Sequence, residues 1–170
     1  TLILAVARKV VSADRSVRAG EWARSQFAGT ELRGKTLALI GAGRIGGEVG
    51  KRAQAFGMRT LVFDPYLTAE RAEELALKRV RFEDALLWAD VLSLHVPLTA
   101  ATEGMIGAEQ LDAMKSSATL INVARGGVVD EDALVAALEA GTIAGAALDV
   151  FATEPLPQES TLRGAPNLVL

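Results

Sequence analysis

The 170-residue sequence has no cysteine and a single histidine, His95. The first absence excludes disulfides and thiolate metal sites, and the second excludes a metal held by several histidines. No run of about 18 apolar residues is available to span a bilayer. Excess positive charge is also missing. Eighteen Lys and Arg stand against 21 Asp and Glu, a net charge of −3, and this gives no basic surface for nucleic acid. No internal repeat or low-complexity segment is seen. The opening Thr1–Lys9 has no basic region ahead of its apolar part and does not read as a signal peptide. It also lacks a methionine and starts in mid-pattern, as expected of a piece cut from a longer chain.

Apolar residues make up 50% of the chain and charged ones 23%, which suits a folded α/β domain rather than a disordered segment. The length suits one full-sized domain with a substantial core. The expected division is an N-terminal helix and connector over residues 1–34, followed by a core over residues 35–170. Leu2, Leu4, Val6, Ala7, Val10 and Val11 predict one helix with a broad apolar face, closed by Ser12-Ala13-Asp14. The basic stretch Arg15–Arg33 reads as an irregular connector that Trp22 and Phe27 pin to the core.

From Lys35 onward, strand and helix patterns alternate. Thr36–Ile40 is a buried strand, followed by Gly41, Gly43 and Gly46 in G-x-G-x-x-G spacing and then by helical spacing through Ile45, Val49, Ala53 and Phe56. Thr60–Phe63 is a second strand, ending in Asp64. Thr68 caps a helix over Ala69–Leu77. Val80 and Phe82 form a short strand, and Glu83–Trp88 a short helix. Val91–Val96 is a strand stopped by Pro97. Ala108–Met114 is helical, Ala118–Val123 a strand, Asp130–Glu139 a helix ended by Gly141, and Ile143–Leu148 a strand before Asp149. Asn167–Leu170 begins one more. Strands joined by single helices imply right-handed βαβ units and a mostly parallel, doubly wound sheet.

In such sheets ligands lie beyond the carboxyl ends of the strands. Gly41, Gly43, Gly46, Asp64, His95, Val96, Pro97, Ala124, Arg125, Asp149 and Glu154 therefore all face one crevice. The glycines suit a tight turn, close approach of a pyrophosphate, and close packing of helix on strand; the helix amino end attracts the phosphates. Asp64 suits the ribose hydroxyls of NAD and would repel the 2′-phosphate of NADP, or else it caps the turn at Pro65. Arg125 has the planar fork that fits a substrate carboxylate, although a surface arginine in a glycine turn is the plainer alternative. Glu154 suits the partner of a histidine acid, or is a solvated loop residue. His95 lies where a histidine contacts backbone or lines a cofactor pocket more readily than it transfers protons. Thr102 and Asn122 are polar contacts near the crevice or structural caps. No metal site is expected.

The motifs at 41–46, 62–66 and 95–99, the blocks A-R-G-G-V-V-D-E (124–131) and A-L-D-V-F (147–151), and E-P-L-P (154–157) resemble the D-isomer-specific 2-hydroxyacid dehydrogenases. The connector at 20–37 resembles the phosphoglycerate dehydrogenase branch of that family. The resemblance implies a Rossmann-like NAD-binding domain set within a substrate domain that this sequence lacks. Arg44 and Ile45 would lie at the pyrophosphate and Asp64 at the ribose, with Val96, Val123, Ala124, Arg125 and Asp149 along the rest of the cofactor. Arg125 would hold the substrate, and Glu154 would partner a catalytic histidine expected in a Thr-Pro-His segment just past Leu170. The parent would be a cytoplasmic homodimer or larger homo-oligomer oxidising 3-phosphoglycerate, a small 2-hydroxyacid, toward serine biosynthesis. Glyoxylate or hydroxypyruvate reduction and an NAD-sensing corepressor role are the alternatives. The segment by itself would bind NAD and catalyse little.

Overall fold

The computed structural model describes residues 1–170. Helices α1 (Leu2–Ala7) and α2 (Val10–Arg18) and a 3-10 turn at Arg24–Phe27 precede the first strand. The chain then runs β1 (Thr36–Ile40), α3 (Arg44–Ala55), β2 (Arg59–Phe63), α4 (Ala69–Glu74), β3 (Lys78–Arg79), α5 (Phe82–Trp88) and β4 (Val91–Leu94). It continues through α6 (Ala108–Asp112), β5 (Thr119–Asn122), α7 (Glu131–Ala140), β6 (Gly145–Leu148) and β7 (Leu168–Val169). The seven strands form one sheet in the order β3-β2-β1-β4-β5-β6-β7. Every pairing is parallel, so the sheet is wholly rather than mostly parallel. The chain winds outward from β1 to one edge, returns to β4 beside β1, and winds to the other edge. That reversal opens a crevice at the carboxyl ends of β1 and β4.

All five residues of β1 are buried, and their period-two alternation divides the core. Ala38 and Ile40 join Leu92, Leu94 and Leu120 under α5, α6 and α7. Leu37 and Leu39 join Val62, Ile121 and Ala147 on the opposite face, with Ala53 of α3 and Ala72 of α4. Two helices have the ends their sequence specifies. Thr68 accepts from the Arg71 N–H at the start of α4. The Asp130 side chain accepts from the Ala133 N–H at the start of α7, and Gly141 closes that helix in the left-handed conformation.

Three local expectations are corrected. The N-terminal helix is two helices, because Lys9 takes a left-handed φ of 51° and turns the chain; Ser12–Asp14 lie inside α2 instead of ending a helix. Leu2, Ile3 and Val6 of α1 pack on the sheet, whereas Val10 and Val17 of α2 stand exposed. In the connector, Trp22 is 77% exposed and pins nothing. Backbone bonds hold this stretch instead: Thr30 N–H donates to Ala7 O at 2.8 Å, and Gly34 N–H to Gly57 O at 2.9 Å. Third, the edge strand falls on Lys78–Arg79, while Phe82 opens α5 and packs its ring against Phe63 at 5.4 Å.

Asp90 ties the amino ends of the central strands together. Its Oδ2 accepts from the Thr36 N–H at 2.8 Å, and its Oδ1 from Lys115 Nζ at 3.0 Å. Burial works to raise its pKa, but the Thr36 and Lys115 bonds outweigh it and hold the carboxyl below the ordinary carboxylate range. Asp90→Ala should cost about 1–3 kcal/mol at pH 7, read by urea unfolding. Because the folded value is depressed, the contribution is present above the unfolded value near 3.9 and is lost as pH falls through the folded one. Wild type and variant should therefore converge in strong acid, and a gap that persists there would refute the ionic origin.

Candidate functional site

Backbone meets backbone where β1 hands the chain to α3. Gly41 has a φ of +92°, and a Cβ there would lie 2.7 Å from the His95 carbonyl oxygen and 3.2 Å from Val96 Cγ1. A Cβ on Gly46 would overlap the Gly41 carbonyl. Gly43 differs: its φ is −62°, and a Cβ would meet nothing within 4 Å. It begins α3 with no side-chain cap, so the first-turn N–H groups remain open to a ligand. Arg44 is exposed beside it, and Ile45 is 66% exposed, unusual for an isoleucine. Open space at Gly43, uncapped donors and an apolar side chain turned outward fit an anionic group joined to a flat apolar one.

Asp64 follows β2 and performs two tasks. Its Oδ2 accepts from the Ala42 N–H at 2.9 Å, and its Oδ1 from the Tyr66 N–H at 2.9 Å. It braces the glycine turn and caps its own turn, and its half-buried carboxylate keeps lone pairs for a further donor.

His95 lies just past β4. Its N–H donates to Ile40 O at 2.8 Å, and its ring Nε2 sits 3.0 Å from Ser93 Oγ. Burial pushes its pKa down to about 4, so the ring is neutral near pH 7. A neutral ring tied back to its own strand lines the crevice and offers no proton at neutral pH. After Pro97, the Thr102 hydroxyl donates to Pro97 O at 2.6 Å and accepts from the Thr99 N–H at 2.8 Å, closing that turn.

The turn after β5 carries Val123, Ala124 and Arg125. Asn122, 2% exposed, holds it from both sides: Oδ1 accepts from the Ala124 N–H at 3.0 Å, and Nδ2 donates to Arg125 O at 3.0 Å. The Arg125 side chain is exposed, with Nη1 donating to Ala124 O at 2.6 Å. Beyond β6, Asp149 is exposed and its N–H donates to Asn122 O at 2.9 Å. Glu154 is exposed, with Oε1 accepting from the Phe151 N–H at 3.0 Å. Gly126 has no room for a Cβ, which would overlap the Phe151 carbonyl, so the arginine turn and the Glu154 loop touch through backbone.

The sequence-predicted residues thus cluster at the carboxyl ends of β1, β2, β4, β5 and β6. A small cleft of about 240 Å³ beside the glycine turn is bounded by Gly43, Arg44, Glu48 and Arg71. A wider hollow of about 820 Å³, around Thr36, Arg59, Lys78 and Trp88, opens at the opposite ends of β1 and β2 and holds none of them. Sequence reading missed Glu131, whose Oε1 accepts from the Ala152 N–H at 2.7 Å. Beside the Asp130 cap it looks like an ordinary acidic residue at a helix start, and no local pattern signals a partner 21 residues away.

Residues 1–170 match the family described as D-isomer specific 2-hydroxyacid dehydrogenase, NAD binding domain. The chain is 48% identical over 168 residues to the D-3-phosphoglycerate dehydrogenase of Archaeoglobus fulgidus, covering 99% of this chain and 32% of that one. It is 47% identical over 176 residues to the glyoxylate reductase of Thermococcus litoralis, covering 99% and 53%. The NAD-dependent formate dehydrogenase from Staphylococcus aureus in complex with NAD superposes with a TM-score of 0.91 at 33% identity, over 98% of this chain and 50% of that one. The chain belongs to the D-isomer-specific 2-hydroxyacid dehydrogenase family and is its NAD-binding domain. It spans about a third to a half of the length of these relatives, whose remainder has no counterpart in this sequence.

Two outcomes test this geometry. Gly43→Ala should fold like wild type, because its Cβ meets open space, yet weaken NADH binding about tenfold or more if the pyrophosphate approaches at Gly43. Unchanged affinity in a fluorescence titration would refute that approach. In an NMR titration His95 should change charge near pH 4, and a midpoint near the ordinary 6.5 would contradict its burial.

Proposed function

We propose that this chain is the cofactor half of an NAD-dependent D-2-hydroxyacid dehydrogenase whose substrate is 3-phosphoglycerate. One observation carries the reading: the glycine turn, Asp64 and the braced Arg125 turn share one end of the sheet, with Glu154 in backbone contact. Residues 35–170 form the Rossmann-like core, and residues 1–34 an accessory helical segment.

Bound NAD supplies the hydride acceptor. The open first-turn N–H groups of α3, with Arg44, hold the pyrophosphate, and Gly43 keeps the approach clear. Asp64 accepts from the ribose hydroxyls and disfavours a 2′-phosphate. Ile45, Val96, Pro97, Val123, Ala124 and Asp149 line the remaining length of the cofactor, with His95 as a neutral wall and Thr102 fixing the loop behind Pro97. Arg125 presents its fork to the substrate carboxylate and orients C2. Glu154 keeps one carboxylate oxygen for an acid–base histidine, as the family resemblance implies, and favours its protonated form.

The connector at 20–37 supports the phosphoglycerate branch, while the match to a glyoxylate reductase keeps glyoxylate reduction as the second reading. The exposed apolar side chains of Leu4, Val10, Val17 and Trp22 support a homodimer through α1, α2 and the connector. No helix is long and apolar enough to cross a membrane; a cytoplasmic setting is the reading here, although two plant relatives are named as chloroplastic.

NADH should bind this chain saturably, and full-length protein should reduce NAD with 3-phosphoglycerate in preference to reducing glyoxylate. The reverse preference would favour the second reading, and no saturable binding to folded chain would end both. Asp64→Asn keeps an acceptor for the Ala42 N–H but removes the charge. It should lower the NADH-over-NADPH preference about tenfold, and undiminished preference would refute the role of Asp64.

A further inference from the structure

The tip of the Glu154 loop has few contacts of its own, while Phe151 and Leu156 on either side of it pack against the core. Ala152 through Pro155 are exposed, and the Glu154 bond to the Phe151 N–H closes only a local turn. Two contacts from outside fix the Phe151–Ala152 peptide. Gly126 presses on its carbonyl side, and Glu131 Oε1 accepts its N–H at 2.7 Å. Glu131 is itself well anchored. It is the first residue of α7, directly after Asp130, whose side chain caps that helix and whose N–H donates to Ile106 O at 2.9 Å. Its half-buried side chain crosses from the helix to the start of a loop whose residues 152–155 are exposed between the core-packed Phe151 and Leu156.

We propose that Glu131 is a positioning residue for turnover. It pins the Phe151–Ala152 peptide so that Glu154, two residues on, presents its free oxygen in one place. This rests on the reading of Glu154 given above. The Arg125 turn does not depend on Glu131 in the same way, because Asn122 holds that turn by both of its ends. Loss of Glu131 should therefore reach Glu154 and spare substrate capture by Arg125. The carboxylate also places negative charge at the amino end of α7, which stabilises the helix dipole whatever happens at the loop.

Three variants of the full-length enzyme separate these effects. Glu131→Asp keeps the charge in the first turn of α7 but draws the carboxylate back by one methylene, out of reach of the Ala152 N–H. Glu131→Ala removes both charge and acceptor. Glu131→Gln keeps an acceptor at the original reach. The Asp and Ala variants should lose on the order of 10- to 100-fold in kcat, the scale of a misplaced catalytic group. KM for the hydroxyacid and the NADH affinity should each stay within about twofold, a small uniform-binding change. The Gln variant should recover to within about threefold of wild type, since a neutral acceptor retains much of the bond.

Amide exchange at Ala152 reads the brace without turnover, and should be slow in wild type and the Gln variant and fast in the Asp variant. Wild-type kcat in the Asp variant would overturn the proposal. A kcat loss matched by weaker NADH binding would reduce Glu131 to a structural role and overturn it as well. A Gln variant as impaired as Ala would show that the hydrogen bond is not what matters. Absence of turnover in wild type itself would instead sink the functional reading, while the exchange data would still report on the brace.

Discussion

The close approach of bare backbone at the carboxyl ends of β1 and β4 is the constraint on which the rest of the site depends. Gly41 and Gly46 leave no side chain between the turn and the His95 carbonyl, so α3 starts almost on top of its strand. That closeness brings the uncapped end of α3 to the point where the winding of the sheet reverses. A methyl group at either position would have to move β4 or α3, and both are fixed by a core in which every residue of β1 is buried. Gly43 lies at the same turn but faces open space, and this separates the glycines that serve packing from the one that leaves room for a ligand.

The second half of the sheet repeats this economy with different residues. Asn122 ends β5 and spends its whole side chain on the turn carrying Arg125, while Gly126 lets that turn rest on the backbone after β6. An exposed arginine and an exposed glutamate thus stand on buried or backbone supports. Both side chains reach solvent from supports that the backbone itself fixes.

The succession of strands and helices and the place of the crevice were legible because they follow from local signals that recur: an apolar run, a polar turn, a helical period. The glycine spacing, Asp64 and the arginine turn lay in plain view for the same reason. The break at Lys9 was not legible, since a lysine in the left-handed region announces itself by neither glycine nor proline. Trp22 misled because a large aromatic normally seeks burial, and its 77% exposure reflects a surface property rather than a core one. At the β3 edge, Val80 and Phe82 look like the strand, but the ladder chose Lys78 and Arg79 and sent Phe82 to cover Phe63. The bracing duties of Asp64 and Glu131 are tertiary facts, set by partners more than twenty residues away.

The carboxylate that holds the Thr36 amide also has a consequence in time. Thr36 and Asp90 are 54 residues apart, and β1 cannot have both edges paired until β4 exists. At the usual pace of synthesis Thr36 is made roughly 3 to 11 seconds before Asp90. During that interval the fully buried β1 has one strand neighbour at best. The nascent chain therefore carries its future central strand with one edge open until β4 is made, when that edge can be covered.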